Sequence, residues 1–340
     1  MSTAHREKSG RPGPLDVVFD DAGLEAAVRT GLDEVESALR IAVRAEDDFV
    51  ASAASYLVAA GGKRFRPLVS LLAAQFGDAG RPEIVPAAVV VEITQLATLY
   101  HDDVMDEAAV RRGAESANSR WDNTVAILTG DFLFSRASNL LADLGPWAVR
   151  LQAQTFERLV TGQIRETVGP APGADPVEHY LAVLADKTGS LIATAAEFGA
   201  HFAGVDAPVI ATLRDFAEQV GVAFQLSDDI LDIASESGQS GKTPGTDLRE
   251  GIPTLPVLYA LRRGDAAAER LRELLDTGLV DDGLLAEALR LLRASSAMDE
   301  ARAVLHSYAG RARATLDAVP DVPARAAFLA LTDTVIERTG

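Results

Sequence analysis

The sequence predicts an all-α fold, and three observations support that prediction. Ala, Leu, Val, Arg and Glu dominate the 340 residues, and most of these are strong helix formers. Apolar residues recur at spacings of three and four, whereas alternating strand-like runs are rare. No Pro/Gly/Ser-rich linker and no change in composition divides the chain. We therefore expect a flexible N-terminal segment, residues 1–20, followed by a single all-α domain over residues 21–340.

The predicted helices follow one another closely, and Gly and Pro separate them. Turn-forming residues mark loops at 78–82, 169–176 and 235–253, and the last is long enough to be a lid over a site. The helical pattern covers about residues 23–45, 47–60, 64–76, 84–108, 116–129, 131–142, 146–167, 177–202, 208–234, 254–262, 265–275, 281–292, 297–316 and 322–337.

Charge and composition exclude several classes of protein. The formal net charge of −18 opposes binding to nucleic acid or to an anionic membrane surface. We expect no membrane span, because no apolar run approaches the roughly 20 residues that a bilayer requires. The polar N-terminus lacks the apolar core of a signal peptide, and the absence of Cys excludes thiolate chemistry. These features predict a cytoplasmic protein.

One acidic motif, Asp-Asp-x-x-Asp, occurs twice, each time at the end of a long apolar helical segment. Positions i, i+1 and i+4 of a helix span an arc of about 100°, so each copy places three carboxylates on one face. Such crowding is unfavourable without a cation, and a set of carboxylate oxygens suits Mg²⁺. The candidate metal ligands are Asp102, Asp103 and Asp106 in the first copy and Asp228, Asp229 and Asp232 in the second.

A single acidic cluster near a helix terminus could equally be a solvated helix end. The second copy, and the apolar residues before both, favour a cavity between helices instead. Zinc is not expected at a site made only of carboxylates.

Basic residues lie near the same parts of the chain and predict binding sites for anions, which we call basic seats. Lys63, Arg64 and Arg66 lie where a helix begins, and the N-terminus of a helix favours an anion. Arg111 and Arg112 follow the first acidic motif, where two guanidinium groups could grip two phosphates, although a surface basic pair is the simpler alternative. Further candidates are Lys187, Thr188, Gln225 and Lys242, with Lys242 in the loop after the second motif.

Over residues 40 to 262 the sequence resembles the trans-isoprenyl diphosphate synthase, or polyprenyl synthetase, family. The matching elements, in order, are GGKRFRP, HDDVMD, RRG, GD, GQ, KTG, FQLSDDILD and GKTPGTDLREG followed by TLP. The resemblance implies a helical bundle around a central active-site cavity and a prenyltransferase that adds isopentenyl diphosphate to an allylic diphosphate. It also implies a homodimer.

Roles for individual residues come from this resemblance. Three Mg²⁺ ions would be held by Asp102, Asp106 and Asp228, with Asp103, Asp229 and Asp232 in support, and would clamp the allylic diphosphate. Arg111, Lys187, Thr188, Gln225 and Lys242 would assist, whereas isopentenyl diphosphate would lie against Lys63, Arg66 and Arg112. His101 is expected to be a packing residue rather than a base. Two positions depart from the family pattern. Gln95 stands where His is common and is expected to keep a hydrogen bond to substrate, and Ile252 stands where Lys is common.

Product length should depend on the helix that ends at the first motif. Val91, Thr94 and Thr98 lie on the stripe of Asp102, at increasing depth from Thr98 to Val91. The resemblance implies that bulky residues four or five positions before the motif block elongation, and those positions here are Thr98 and Ala97. We therefore expect an open tunnel and a product longer than C20, in the C30 to C50 range. Phe132 or Phe134 could instead supply a floor.

Two other functions fit parts of this pattern. A terpene cyclase or a squalene-type synthase also uses aspartate-rich metal sites, but a second diphosphate seat favours elongation. A catalytically silent subunit of a heteromeric synthase, or a prenyl diphosphate binding protein, would not need both acidic motifs complete.

Overall fold

A computed structural model describes residues 17–235 and 244–338 of the chain, and in them it confirms the all-α prediction. The one sheet in these residues is a short antiparallel hairpin, β1 (Val110–Arg111) and β2 (Ala114–Glu115). The α-helices are α1 (Ala22–Ala42), α2 (Asp48–Ala59), α3 (Phe65–Ala74), α4 (Ile84–Met105), α5 (Ala117–Arg120), α6 (Asn123–Leu144), α7 (Pro146–Val168), α8 (Pro176–Leu184), α9 (Ser190–Phe202), α10 (Ala207–Ala234), α11 (Thr246–Arg249), α12 (Leu255–Arg262), α13 (Ala266–Thr277), α14 (Asp282–Arg293), α15 (Ala297–Thr315) and α16 (Pro323–Glu337).

The two helices that end in the acidic motifs lie at the centre of the bundle. Helix α4 packs against α3, α6 and α9, and α10 packs against α9 and α15. By length and composition α4 could cross a membrane, and it is the one such helix among the described residues. However, 72% of the most apolar 18-residue stretch of this helix is buried inside the protein. Its apolar character therefore matches a core helix, because the surrounding helices cover it.

Aspartate side chains begin many of the helices, which accounts for part of the acidic composition. An N-cap carboxylate accepts from the unpaired N–H groups of the first turn and suits the positive end of the helix dipole. Six caps of this kind are formed by Asp21, Asp47, Asp122, Asp175, Asp265 and Asp281.

The prediction of two helices at 116–129 and 131–142 was wrong. The structure has the short α5 and then a continuous α6 that runs through Gly130. A Cβ atom at Gly130 would lie 2.3 Å from Nε2 of His101, so this glycine allows α4 and α6 to approach closely. Gly130 therefore serves helix packing and does not end a helix.

Three other boundaries differ from the sequence prediction. Helix α4 ends at Met105, not near 108, because the β1–β2 hairpin follows it. The hairpin turn is formed by Arg112 and Gly113, which both have positive φ, 55° and 75°, as a type I′ turn requires. The expected helix 177–202 contains a π-helical turn at Ala185–Gly189, and α11 lies in the predicted loop 235–253.

The predicted N-terminal segment falls partly outside the described residues, which begin at Val17. Val17 and Phe19 pack against the hydrophobic core ahead of α1.

Candidate active site

The first acidic motif occupies the last turn of α4. Asp103 is fully buried, while Asp102 and Asp106 are half-buried. Arg111 Nε, from the hairpin, donates to Asp103 Oδ1 at 2.5 Å, and Arg111 Nη2 lies 3.5 Å from Asp106 Oδ2. One guanidinium therefore serves two carboxylates of the same motif, which lowers their mutual repulsion.

The Asp102 carboxyl group lies in a different electrostatic environment. Burial raises its pKa to about 6, the nearby Asp106 adds to this effect, and the charge of Lys187 opposes it. Asp102 is thus a carboxylate whose charge is costly in the protein alone. A cation placed beside it would be favoured for that reason.

Lys187 lies in the π-helical turn, which faces both acidic motifs. Its Nζ donates to Glu166 Oε2 at 2.5 Å. Burial lowers the pKa of Lys187, but the charges of Glu166, Asp102 and Asp106 outweigh burial and raise it overall. A π-turn inside a helix is a common feature of functional sites, because the additional residue in the turn redirects side chains.

Gly162 explains how α7 can lie directly against this turn. A Cβ atom at that position would be 2.8 Å from the backbone nitrogen of Lys187 and 3.0 Å from Asp186 Cβ. Only glycine fits this approach without a shift of the backbone.

The second acidic motif lies on the last turns of α10, and each carboxylate has its own partner. Asp229 is buried, and the hydroxyl of Tyr180 and the amide of Gln225 donate to its two oxygens, the amide at 2.9 Å. Burial raises the pKa of Asp229 to about 6, although both hydrogen bonds oppose this. Asp228 Oδ1 accepts from Arg338 Nη2 at 2.6 Å.

Asp232 binds the backbone of the segment that follows the second motif. Its carboxylate accepts from the N–H groups of Thr246 and Asp247, both at 3.2 Å, at the start of α11. The second motif therefore fixes the position of α11 as well as contributing charge.

Two observations place the motifs around one site. Thr188, next to Lys187 in the π-turn, donates to Gln225 at 3.4 Å, and Gln225 in turn bonds Asp229. Glu250 lies after α11, and burial, then the charge of Asp106, then that of Asp232, raise its pKa. Glu250 is therefore near a carboxylate of each motif.

The predicted basic seat lies at the start of α3. Arg64 has a left-handed backbone (φ 48°) and forms ion pairs with Glu36 at 2.9 Å and Glu92 at 2.8 Å. Arg112 donates to the carbonyl oxygens of Leu57, at 3.0 Å, and of Gly61. Arg64 and Arg112 therefore hold this loop in place, and the buried Glu92 balances their charge.

The other two basic residues of the seat differ from these. Arg66 Nε is buried and has no hydrogen-bond partner among the described residues. Burial lowers the pKa of Arg66 to about 10, with Glu92 opposing and Arg112 adding to the shift. Lys63 is exposed at the edge of the loop. An anion at this site would find the unpaired Nε–H of Arg66 and the side chain of the exposed Lys63.

Sequence reasoning missed several residues of the site. Tyr180 and Arg338 carry no motif, and only the fold brings them from α8 and the C-terminus to the second motif. Arg338 also lies 5.1 Å from the ring of Phe224, which stacks on Phe65 of α3. Other residues missed in this way are Glu36, Glu92, Glu166 and Glu250. Two signals could have been used: Glu92 is an acid within an apolar helix ten residues before Asp102, and Glu250 lies within the matching element GKTPGTDLREG.

The residues expected to control product length lie along α4. Val91, Thr94, Ala97 and Thr98 are all buried. Thr94 Oγ1 accepts from Gln152 Nε2 of α7 at 2.9 Å. Gln95 is half-buried, and His101 Nε2 lies 3.1 Å from the carbonyl oxygen of Ile127.

Within the described residues, no three acidic or histidine side chains are arranged to hold one metal ion. The carboxylates contact arginine, tyrosine, amide and backbone donors instead. Lys242, predicted to bind diphosphate, lies with residues 236–243 outside the described part of the chain.

Comparisons with known proteins agree with this architecture. Residues 47–292 match the family described as polyprenyl synthetase. The chain is 50% identical to a nonaprenyl diphosphate synthase of Mycobacterium tuberculosis, over 95% of this chain and 97% of the relative.

Two solved structures share the fold over nearly their whole length. A geranylgeranyl pyrophosphate synthase from Corynebacterium glutamicum, complexed with calcium and isoprenyl diphosphate, has a TM-score of 0.85 and 46% identity, covering 95% of this chain and 100% of that one. A polyprenyl synthase from Caulobacter crescentus, with the same ligands, has a TM-score of 0.87 and 31% identity, covering 98% and 100%. The chain therefore belongs to the polyprenyl synthetase family.

Proposed function

We propose that this protein is a trans-polyprenyl diphosphate synthase, which adds isopentenyl diphosphate head-to-tail to an allylic diphosphate. The observation that carries the proposal is the arrangement of two acidic motifs around one site with a separate basic seat beside them. A reaction between two diphosphate substrates needs two such seats. Relatives named nonaprenyl and octaprenyl diphosphate synthases support this assignment.

The donor set of the two motifs fits Mg²⁺. All six side chains offer carboxylate oxygens, and Asp103 Oδ2 is buried with no hydrogen-bond partner among the described residues. Magnesium keeps waters and substrate phosphates in its shell, so the protein need not supply three ligands to each ion. We assign three ions to Asp102, Asp106 and Asp228, with support from Asp103, Asp229 and Asp232. Bound Mg²⁺ would neutralise the charge that develops on the departing diphosphate.

The chain's own cations would hold the allylic diphosphate beside this acidic site. Lys187 already lies close to Asp102, and Arg111 lies against Asp103 and Asp106. Thr188, Gln225 and Lys242 complete the proposed set. These groups bind and orient the diphosphate and stabilise its negative charge as the allylic C–O bond breaks.

The second substrate, isopentenyl diphosphate, would bind at the basic seat. Lys63 and Arg66 would bind its phosphates, and Arg112, held by two carbonyl oxygens, would keep the loop in place. The isopentenyl double bond then attacks the allylic cation, and loss of a proton to the released diphosphate forms the new double bond. No side chain is required as a nucleophile.

We infer a product longer than C20, because small side chains line α4 next to the first motif. Ala97 and Thr98 stand where bulky residues would block growth, and both are buried. We also infer a cytoplasmic homodimer with residues 21–340 as one domain. Several apolar side chains on the outer faces of α6 and α7, including Ile127, Leu128 and Ile164, are exposed, which supports a partner on that face.

The test is an assay of the purified protein with farnesyl diphosphate, isopentenyl diphosphate and Mg²⁺, with products sized by mass spectrometry. Elongated prenyl diphosphates are expected. Cyclic hydrocarbons would indicate a terpene cyclase, and no turnover where a control synthase is active would indicate a silent subunit.

A further inference from the structure

Gln152 forms a polar bridge across the part of the bundle that should receive the growing chain. It lies on α7, it is 7% exposed, and its Nε2 donates to Thr94 Oγ1 of α4 at 2.9 Å. Thr94 is fully buried and also donates to its own helix, at the carbonyl oxygen of Val90. The bridge joins two helices that both pack against α6 and α9.

The amide of Gln152 is only half satisfied. Its Oε1 is buried and has no hydrogen-bond partner among the described residues. Leaving a buried carbonyl oxygen unpaired costs about 1–3 kcal/mol, so this glutamine is retained at a cost to stability. What distinguishes Gln152 is its position, because its amide bonds Thr94 on the helix that ends at the first acidic motif.

A second polar pair lies one turn further along the same face of α7. Thr155 and Thr194 of α9 are hydrogen bonded at 2.6 Å, and both are buried. Together Thr94, Gln152, Thr155 and Thr194 form a polar belt across three helices. Apolar residues of the core, such as Val91 and Leu159, surround this belt.

The belt lies in line with the acidic site. Thr94 is on the stripe of Asp102 and eight residues, or about 12 Å, deeper. The buried face of α7 leads from Gln152 through Thr155 and Leu159 to Gly162, which touches the π-turn of Lys187. Phe156 packs on Phe134, and Phe134 on His101 next to Asp102. A prenyl tail anchored at the first motif and growing between α4 and α7 therefore meets this bridge.

We propose that Gln152, through its hydrogen bond to Thr94, is a residue that determines product length. A hydrocarbon tail can pass between α4 and α7 at this depth only when the bridge opens, and the tail offers no hydrogen bond in exchange. Each further addition of isopentenyl diphosphate then competes with product release. The strength of the bridge sets the ratio of longer to shorter products. This inference rests on the proposed function.

The test compares the products of Gln152→Leu and Thr94→Val with those of the wild type, in the assay described above. Both substitutions remove the bridge; Thr94→Val keeps the shape of the side chain, whereas Gln152→Leu also shortens it by one atom. Loss of one buried hydrogen bond should raise the ratio of longer to shorter products by about 2- to 10-fold. The double variant should raise the ratio of longer to shorter products no further than either single variant does, because both changes remove the same hydrogen bond.

A matched control is present elsewhere in the chain. Gln219 Nε2 donates to Thr315 at 3.3 Å, and its Oε1 is likewise buried without a partner among the described residues. This pair joins α10 to α15, away from the α4–α7 face. Gln219→Leu should leave the product lengths unchanged.

Several outcomes would overturn the inference. These are an unchanged product distribution in folded Thr94→Val or Gln152→Leu, additive effects in the double variant, or an equal shift in Gln219→Leu. Thr94→Val alone decides the question if Gln152→Leu does not fold. Failure of the wild type to elongate any primer would instead overturn the proposed function.

Discussion

Arg111 Nε donates to the buried Asp103 carboxylate at 2.5 Å, so the hairpin after α4 is tied to the helix that precedes it. Because the same guanidinium also lies near Asp106, it links two of the three carboxylates of the first motif.

The first prediction concerns this contact. Arg111→Ala leaves the buried carboxylate without its cation, and should lower the free energy of unfolding by roughly 3 kcal/mol. Denaturant unfolding of the metal-free protein measures it. Arg302→Ala, which removes an exposed pair with Asp299 at 3.2 Å, should cost less than about 0.5 kcal/mol. Adding Asp103→Asn to Arg111→Ala should recover part of the loss, and a further loss instead would contradict this account.

The second prediction concerns pH. The pKa of Asp102 is raised to about 6 by burial, so the folded protein holds this proton more tightly than the unfolded chain. Its contribution to stability is complete below the unfolded pKa near 4 and is lost as the pH rises through about 6. Metal-free Asp102→Asn should therefore be more stable than the wild type at pH 8, on the order of 1 kcal/mol because the residue is half-exposed.

Thermal melting at several pH values tests this difference. At pH 3.5 the advantage of Asp102→Asn should nearly vanish, since Asp102 is protonated in the folded state and mostly protonated in the unfolded state there. A pH-independent difference would show that the charge of Asp102 is not its cause. Added Mg²⁺ and a prenyl diphosphate should stabilise the wild type more than the variant.

The third prediction concerns the approach of α7 to the π-turn. Gly162→Ala would place a Cβ atom 2.8 Å from the nitrogen of Lys187, which should cost about 1–3 kcal/mol and move the ammonium group from the site. Activity should fall together with stability. In contrast, Gly310→Ala in α15 meets no atom within 4 Å and should stabilise the protein by up to about 1 kcal/mol. Full activity in Gly162→Ala would contradict the positioning of Lys187 described above.

The fourth prediction concerns the entrance of the proposed tunnel. Thr98→Phe and Ala97→Phe should both shorten the product, because an aromatic ring would fill the space beside α4. Thr98→Phe should change product length with less loss of stability than Ala97→Phe. Ala97 is fully buried in a core cluster with Ala126 and Leu133, so a ring at that position will also disturb packing. Mass spectrometry of the products measures the shift. Thr124→Phe, at an exposed position of α6, is the control, and unchanged products in Thr98→Phe would argue against this tunnel.

Local patterns in the sequence predicted most of the fold. The apolar periodicity that identified α4 and α10 is a property of neighbouring residues, and so is the spacing of the two acidic motifs. The break predicted at Gly130 was wrong because glycine has two uses, to end a helix or to let another helix approach, and only the position of His101 decides between them.

Much of the site could not be predicted because its contacts are long-range. Asp228 meets Arg338, 110 residues away in the chain, and Asp229 meets Tyr180, 49 residues away. No pattern in the sequence links these pairs. The partners of Arg64 illustrate the same limit, since a residue expected near an anion proves to be neutralised by Glu36 and Glu92.

The two acidic motifs belong to helices that are far apart in the chain but that both pack against α9 at the centre of the bundle. A ligand that bridges them can bind only when both helices are in place, so its binding energy is added to the stability of the whole protein. At a concentration one hundred times its Kd, such a ligand contributes about 2.7 kcal/mol. The concentration of substrate would then affect how long the enzyme resists proteolysis, as well as how fast it turns over.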